Sequence, residues 1–228
     1  MTTPDRLIAW VAADIVALTL RGGALHVALV KRKAAAARGQ WALPGGFLLQ
    51  GESAEVAAAR ELEEEVGLGR AEVRLEQLGT YSAPKRDTEH SRRVISVAYL
   101  ALAANLPETV AGTDAGEASW VPVDKAVKRR LAFDHPQILR DGVERARAKL
   151  EYSTIATSFL DGEFTISELR AVYEAVWGAR LDAANFHRKV TGTPGFVEAT
   201  GEMRRGRGRP AALFTAGSAQ SLNPPLTR

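Results

Sequence analysis

The stretch at residues 46–68, GFLLQGESAEVAAARELEEEVGL, limits what this chain can become more than any other. Ser53 carries the short hydroxyl side chain that caps a helix start, and Gly67 can take the left-handed turn that ends one. Between them Ala, Glu and Leu favour helix, so a helix bounded by these two residues is predicted. At about 100° per residue, Glu61, Glu64 and Glu65 fall within an arc of roughly 100°. Ala59, Leu62 and Val66 lie on the opposing face, where a sheet can cover them. Carboxylates crowded on one face repel by about 0.2–0.5 kcal/mol per exposed pair. A divalent cation reverses that penalty, and an oxygen-only ligand set suits Mg²⁺ or Mn²⁺. Arg60 beside them can hold one carboxylate by a charge-assisted hydrogen bond. Taken alone, the glutamates also read as a solvated acidic helix face.

The flanking pattern is α+β. Residues 13–20 and 24–31 are apolar and β-branched around Arg21-Gly22-Gly23 and read as a hairpin. Trp41-Ala42-Leu43-Pro44-Gly45-Gly46 reads as a loop, too interrupted by glycine and proline for regular structure. Strands are predicted at 73–82, 94–103 and 118–122. A helix is predicted at 136–152, where Ile138, Leu139, Val143, Ala146 and Leu150 recur at helical spacing. A second unit starts after Tyr152, with helices at 167–177 and 182–191 capped by Ser167 and Asp182, then short strands near 196–200 and 211–215. The tail 217–228, small, polar and proline-containing, is expected to be disordered. The expected domains are therefore 1–152 and 153–216, followed by that tail. The sequence shows no internal repeat.

Composition narrows the classes. With 228 residues, 46% apolar and 25% charged, the chain can bury a core without covalent staples. It has no cysteine, which excludes disulfides, thiolate metal sites and cysteine nucleophiles. Residues 1–7 lack a basic-then-apolar leader and no apolar run reaches membrane-spanning length, so a soluble cytoplasmic protein without a membrane partner is expected. The four histidines, His26, His90, His135 and His187, are scattered without ligand spacing. A net charge of +3 is too small to argue for nucleic acid. Its distribution says more: glutamates crowd residues 61–65, while Arg204, Arg205, Arg207 and Arg209 crowd one short loop.

The spacing around the acidic helix carries a resemblance. Gly46, then Glu52, then Arg60-Glu61-Leu62-Glu63-Glu64-Glu65-Val66-Gly67-Leu68 matches every fixed position of the Nudix box. The Nudix superfamily binds or hydrolyses a nucleoside diphosphate linked to another moiety. The resemblance implies that Glu61, Glu64 and Glu65 hold Mg²⁺ or Mn²⁺, that Arg60 orients the carboxylates, and that these four are the catalytic set if the protein is an enzyme. It further implies a structural or outer-shell role for Glu52 and a ligand-binding turn at Gly45 and Gly46. Members acting on ADP-ribose carry a proline about sixteen residues beyond the box, and Pro84 stands there, in Tyr81-Ser82-Ala83-Pro84. Arg86, Arg92 and Arg93 are placed to meet phosphate or to be merely solvated. Glu117 is a candidate extra ligand or a surface glutamate.

The C-terminal unit runs helix, helix, strand, arginine-rich loop, strand. In the helix at 182–191, Phe186 and Val190 face a core, while Asn185, Arg188 and Lys189 project away, as in a recognition helix or an ordinary surface helix. The loop Arg204-Arg205-Gly206-Arg207-Gly208-Arg209-Pro210 concentrates charge that repels itself unless a phosphate-rich partner is present. Its Arg-Gly-Arg-Pro core is similar to the arginine hook of narrow A·T-rich minor grooves.

Across nearly its full length the chain resembles the Nudix-related transcriptional regulators of NAD metabolism. Leu131-Ala132-Phe133-Asp134-His135 is similar to their connecting segment, and GRGRPAALF to their wing. The resemblance implies a Nudix α/β/α sandwich with a mixed sheet followed by a winged helix-turn-helix. It also implies a bacterial homodimeric repressor of NAD biosynthesis or salvage genes, associated with the nucleoid, that releases its double-stranded operator when ADP-ribose binds. Many members of that family have degraded boxes. Here the box is intact, so a metal-dependent ADP-ribose pyrophosphatase stands as the alternative, alone or beside regulation.

Overall fold

A computed structural model describes residues 7–69, 73–90, 92–104, 106–109, 115–205 and 210–227. The chain divides into two compact units. One contains Met1–Leu18, His26–Leu102 and Leu106–Val143; the other contains Thr19–Leu25, Ala103–Asn105 and Glu144–Arg228. The helix expected at 136–152 spans that division.

The first unit is built on a mixed sheet. Its strands are β1 (Ala9–Arg21), β2 (Ala24–Arg32), β3 (Trp41–Ala42), β4 (Gly45–Phe47), β5 (Leu75–Tyr81), β6 (Arg93–Leu102) and β7 (Ala115–Pro122). Their order is β3-β2-β1-β6-β5, with β4 added to β1 and β7 to β2. β1 and β6 run parallel from Ala9↔Arg93 to Leu18↔Leu102, while β2–β7 and β5–β6 are antiparallel. Positions 12–19 of β1 are buried in unbroken succession. Successive side chains point to opposite faces, so both faces of the sheet are covered here.

The glycine-proline loop departs from expectation. Residues 41–42 and 45–47 form strands because neighbouring edges supply their partners: Gly45–Phe47 pairs with residues 12–14, and Ile15 donates to the Pro44 carbonyl at 2.8 Å. Strands of two and three residues have no periodicity to read.

Helix α1 (Ala54–Val66) starts and stops as its caps dictate. Ser53 Oγ accepts the Val56 N–H, Gly67 adopts φ 79°, and Ala57, Ala58, Ala59, Leu62 and Val66 are buried. A single turn, α2 (Val123–Ala126), follows β7. Helix α3 (His135–Tyr152) begins one residue before the expected start. A Cβ at Gly142 would come within 2.7 Å of Val16, so the helix backbone lies directly on β1.

The second unit holds α4 (Ile166–Trp177), α5 (Ala183–Gly192), β8 (Val197–Arg204) and β9 (Ala211–Ala216). Thr165, not Ser167, caps α4. Its hydroxyl accepts the Glu168 N–H at 3.2 Å while Glu168 accepts the Thr165 N–H at 2.7 Å. The reciprocal pair satisfies two otherwise orphan donors, which Ser167 cannot do with Arg170 three residues on. Asp182 caps α5 as expected, accepting the Asn185 N–H at 2.8 Å. The antiparallel ribbon β8–β9 gains a third partner where Phe164 and Phe214 exchange backbone bonds at 2.9 and 2.8 Å. Tyr173 centres the core, its ring 4.9 Å from Trp177 and 5.2 Å from Phe186.

Residues 217–227 of the tail are described, and two of their leucines pack at the end of α3. Leu222 and Leu226 are 4% and 2% exposed, and their N–H groups donate to the carbonyls of Tyr152 and Glu151, each at 2.9 Å. Small polar composition suggests disorder, but the last carbonyls of α3 lack helical donors and two leucines suffice to anchor a strap over them.

Candidate functional site

The chemistry of the first unit gathers around Arg60. Its Nε donates to Glu52 at 2.8 Å, and Nη1 donates to Glu61 at 2.7 Å and Glu64 at 3.1 Å. Nη2 donates to the Phe47 carbonyl at 3.2 Å. One guanidinium thus ties α1 to β4 and to the turn before the helix. Arg60 holds the Glu52 carboxyl below its usual range, and Glu52 in turn raises Arg60. Burial pushes Glu61 up against the opposing pull of Arg60. Burial pushes Glu65 up to about 7, although it accepts the Gly45 N–H at 2.9 Å. Gly46 has no room for a side chain: a Cβ there would overlap the Glu61 carboxylate.

Of these groups, Gly45, Gly46, Phe47, Glu61 and Glu65 border a cavity of about 500 Å³. Its lining carries the acidic groups of Asp14, Glu61, Glu65 and Asp87 and the basic groups of Arg32, Lys33 and Arg86. Phe47, His90 and Phe133 supply aromatic surface. Gly45 and Gly46 give close backbone access. Such a cavity offers anion contacts, a place for hard cations and rings for stacking in one enclosure.

Glu61, Glu64 and Glu65 do not meet at one point. Arg60 draws Glu61 and Glu64 towards itself, and the Glu64 side chain is half exposed. Among the described residues no three acidic or histidine side chains converge as an ion would require. The donor chemistry of Glu61 and Glu65 nevertheless suits a hard divalent cation. Both present oxygen to the cavity, and burial disfavours their bare negative charge.

The other expected ligand residues are dispersed. Arg86 reaches the cavity wall, but its charge is already matched. It donates to Asp134 at 2.9 and 2.7 Å, and Asp14 lies 3.4 Å away. Pro84 is exposed and outside the wall; it is the second residue of a turn in which the Arg86 N–H donates to Ala83 at 3.1 Å. Proline presets the backbone for that position, so Pro84 delivers Arg86. Arg92 is exposed and stands over the Trp10 ring at 5.9 Å, while Arg93 donates to the Ser82 carbonyl at 2.5 Å. Glu117 is exposed, 3.9 Å from Lys31, and outside the cavity wall.

A buried polar cluster escaped the sequence. Asp14 accepts from Ser96 at 2.5 Å and lies 3.5 Å from His135, whose Nδ1 accepts the Leu43 N–H at 2.9 Å. Burial lowers His135, so its neutral form is favoured. The histidines that look scattered are partly collected by the fold: His90 and His135 both border the cavity. One signal was available, because Asp14 is the lone charge in the apolar run of β1, and a buried carboxylate needs partners.

In the second unit α5 buries Phe186 and Val190 and exposes Asn185, His187 and Arg188. Arg188 donates to Asn185 at 2.7 Å. Lys189 is half-buried and donates to the Thr227 carbonyl and hydroxyl at 3.3 and 3.2 Å. Arg205 is exposed at the end of the ribbon. Arg204 is folded back, donating to Glu168 at 2.5 Å and to the Glu163 carbonyl at 2.9 Å. Arg207 and Arg209 lie outside the described residues.

Residues 10–142 match the family model of the NUDIX domain, and residues 156–216 match that of the NrtR DNA-binding winged helix domain. Over 203 residues the chain is 30% identical to an ADPR responsive transcriptional repressor, NtrR, of Acinetobacter baylyi, across 88% of this chain and 79% of that one. Over 115 residues it is 42% identical to an ADP-ribose pyrophosphatase of Methanocaldococcus jannaschii, across 50% of this chain and 64% of the relative. Its structure is similar to that of Shewanella oneidensis NrtR complexed with a 27mer DNA, with a TM-score of 0.76 at 29% identity, covering 95% of this chain and 99% of that one. For the NUDIX domain of the same Shewanella protein complexed with ADP ribose, the TM-score is 0.56 at 29% identity, covering 61% and 89%. With a NUDIX domain and an NrtR winged helix in one chain, and a repressor aligned along most of its length, this protein belongs to the NrtR family.

Proposed function

We propose that the protein is a transcriptional repressor of NAD biosynthesis or salvage genes, acting in the cytoplasm as a homodimer and releasing its operator when ADP-ribose enters the NUDIX cavity. The observation that carries this reading is the pairing of two chemistries in one chain. The cavity brings Arg32 and Lys33 together with carboxylates and aromatic rings, which suits a pyrophosphate joined to a nucleoside. The second unit exposes Asn185 and Arg188 on α5 and Arg205 on the ribbon, with Arg207 and Arg209 next in sequence, which suits duplex phosphates and base edges. A catalyst has no use for such a ribbon.

Dimerisation is supported by exposed apolar side chains along the start of β1 and around β4: Ile8 is 73% exposed, and Trp10, Phe47 and Leu49 are also exposed. No helix among the described residues is long and apolar enough to cross a membrane. The deciding experiment is a gel shift on promoters of NAD genes with and without ADP-ribose, alongside light scattering for the dimer. DNA binding that ADP-ribose leaves unchanged would remove it as effector.

The second reading is ADP-ribose hydrolysis, favoured by the complete Arg60 carboxylate network and the raised Glu65. Glu61 and Glu65, with Glu64 if Arg60 releases it, would hold Mg²⁺ or Mn²⁺. Such an ion neutralises pyrophosphate and acidifies an attacking water. Arg60 holds the Glu61 carboxyl by a hydrogen bond and opposes the burial that raises it, and Gly45 fixes Glu65 through its N–H. AMP release with Mg²⁺ by the wild type, lost in Glu65→Gln, would establish it. Absence of metal-dependent turnover would leave the regulator alone.

A further inference from the structure

The residues that open α3 are each held by a group of the cavity. Phe133 sits at φ 52°, a left-handed conformation that costs energy for a bulky side chain, and Arg32 stacks over its ring at 4.9 Å. Asp134 receives the two bonds from Arg86, whose side chain is 3% exposed. His135 faces Asp14 and accepts the Leu43 N–H. The helix is seated on these residues: the Asp134 carbonyl accepts the N–H groups of Gln137 and Ile138 at 2.9 and 3.2 Å.

From there α3 runs without interruption to Tyr152, and its later turns carry bonds from α4. Tyr173 Oη donates to the Leu150 carbonyl at 3.0 Å, and Trp177 Nε1 donates to the Arg147 carbonyl at 3.1 Å. One helix therefore begins beside the cavity, and its later turns bond with α4. Asp14 and Asp134 place two carboxylates on one guanidinium, so Arg86 has two internal partners that a ligand oxygen would compete with.

We infer that the Arg86–Asp134 clasp is the effector switch: a phosphate oxygen of the bound nucleotide takes Arg86 from Asp134, and the freed start of α3 alters DNA affinity. The inference rests on the effector reading above and names its moving part. A ligand shifts an equilibrium only by binding two states unequally. Here the unequal contacts are those to Arg86 and Arg32, made with protein groups in one state and with phosphate in the other. Losing Arg32 also removes the cover that holds Phe133 in its strained turn.

The test uses the full-length protein, ADP-ribose and a labelled duplex that the protein enriches from a random-sequence pool. In the wild type, saturating ADP-ribose weakens duplex binding by about tenfold or more. Asp134→Asn lacks the charge to hold the guanidinium and lies outside the cavity wall. It should still bind ADP-ribose, its duplex affinity without ligand should already match that of the ligand-saturated wild type, and ADP-ribose should change it by less than about twofold. Asp134→Glu, which keeps the carboxylate, should recover part of the response. Arg86→Lys keeps the cation but loses the fork; at saturating ligand it should show the same loss, and it decides the matter if Asp134→Asn fails to fold. A wild-type response in the folded variants overturns the inference while leaving the effector reading intact. A wild-type protein whose duplex affinity ignores ADP-ribose overturns both.

Discussion

The carboxylate of Glu61 fills the space that a Cβ at Gly46 would need. Substituting Gly46 by alanine must therefore push Glu61 out of its bonds with Arg60 or distort β4. Overpacking of this kind costs about 1–3 kcal/mol. Gly46→Ala should melt earlier than the wild type and bind ADP-ribose more weakly by calorimetry. Unchanged melting and affinity would show that Glu61 can move freely.

The C-terminal strap should be a stability element. Leu222 and Leu226 are both buried, and burying a leucine contributes about 1.5–3 kcal/mol. Ending the chain after Ser218 should lower stability by on the order of 3 kcal/mol. It also frees Lys189 from Thr227. Thermal denaturation checks the first effect, and limited proteolysis of the second unit checks where the loss falls.

His135 makes stability depend on acidity. Burial lowers its pKa, opposed by Asp14, so the folded state resists a proton that the unfolded chain accepts near pH 6.5. Its contribution is complete above that value and declines as pH falls through it towards the folded pKa, by at most about 1.4 kcal/mol per pH unit. Urea denaturation at stepped pH should show stability dropping below about pH 6.5. His135→Gln should flatten that slope.

The arginines of the ribbon should separate into two kinds. Arg204 is engaged with Glu168 and the Glu163 carbonyl, so Arg204→Ala should lower the melting temperature of the second unit. The same bonds, with those from Thr165, keep Glu168 below its usual pKa despite burial. Arg205 is exposed, and Arg205→Ala should leave melting unchanged; Arg207→Ala and Arg209→Ala probe the same charged loop. Each of these three should weaken duplex binding across all sequences and reduce the salt slope by about one. Fluorescence anisotropy over a salt series distinguishes the two kinds.

Three of the four expected caps, the helical faces and the order of the longer elements could be read from the sequence by itself, because each depends on neighbours a few residues away. Ser53, Gly67 and Asp182 act where their chemistry places them, and the spacing from Gly46 to Leu68 identifies the NUDIX unit. Contacts between distant segments were decided only by the tertiary structure. Leu43 meets His135 across 92 residues, Asp14 meets Ser96 across 82, and Arg86 meets Asp134 across 48. Those meetings follow from the parallel register of β1 with β6 and the seat of α3 on β1. Nor does composition reveal that Leu222 and Leu226 find the open end of α3. A side chain carries its local conformational preference with it, but its long-range partner depends on how the whole chain closes.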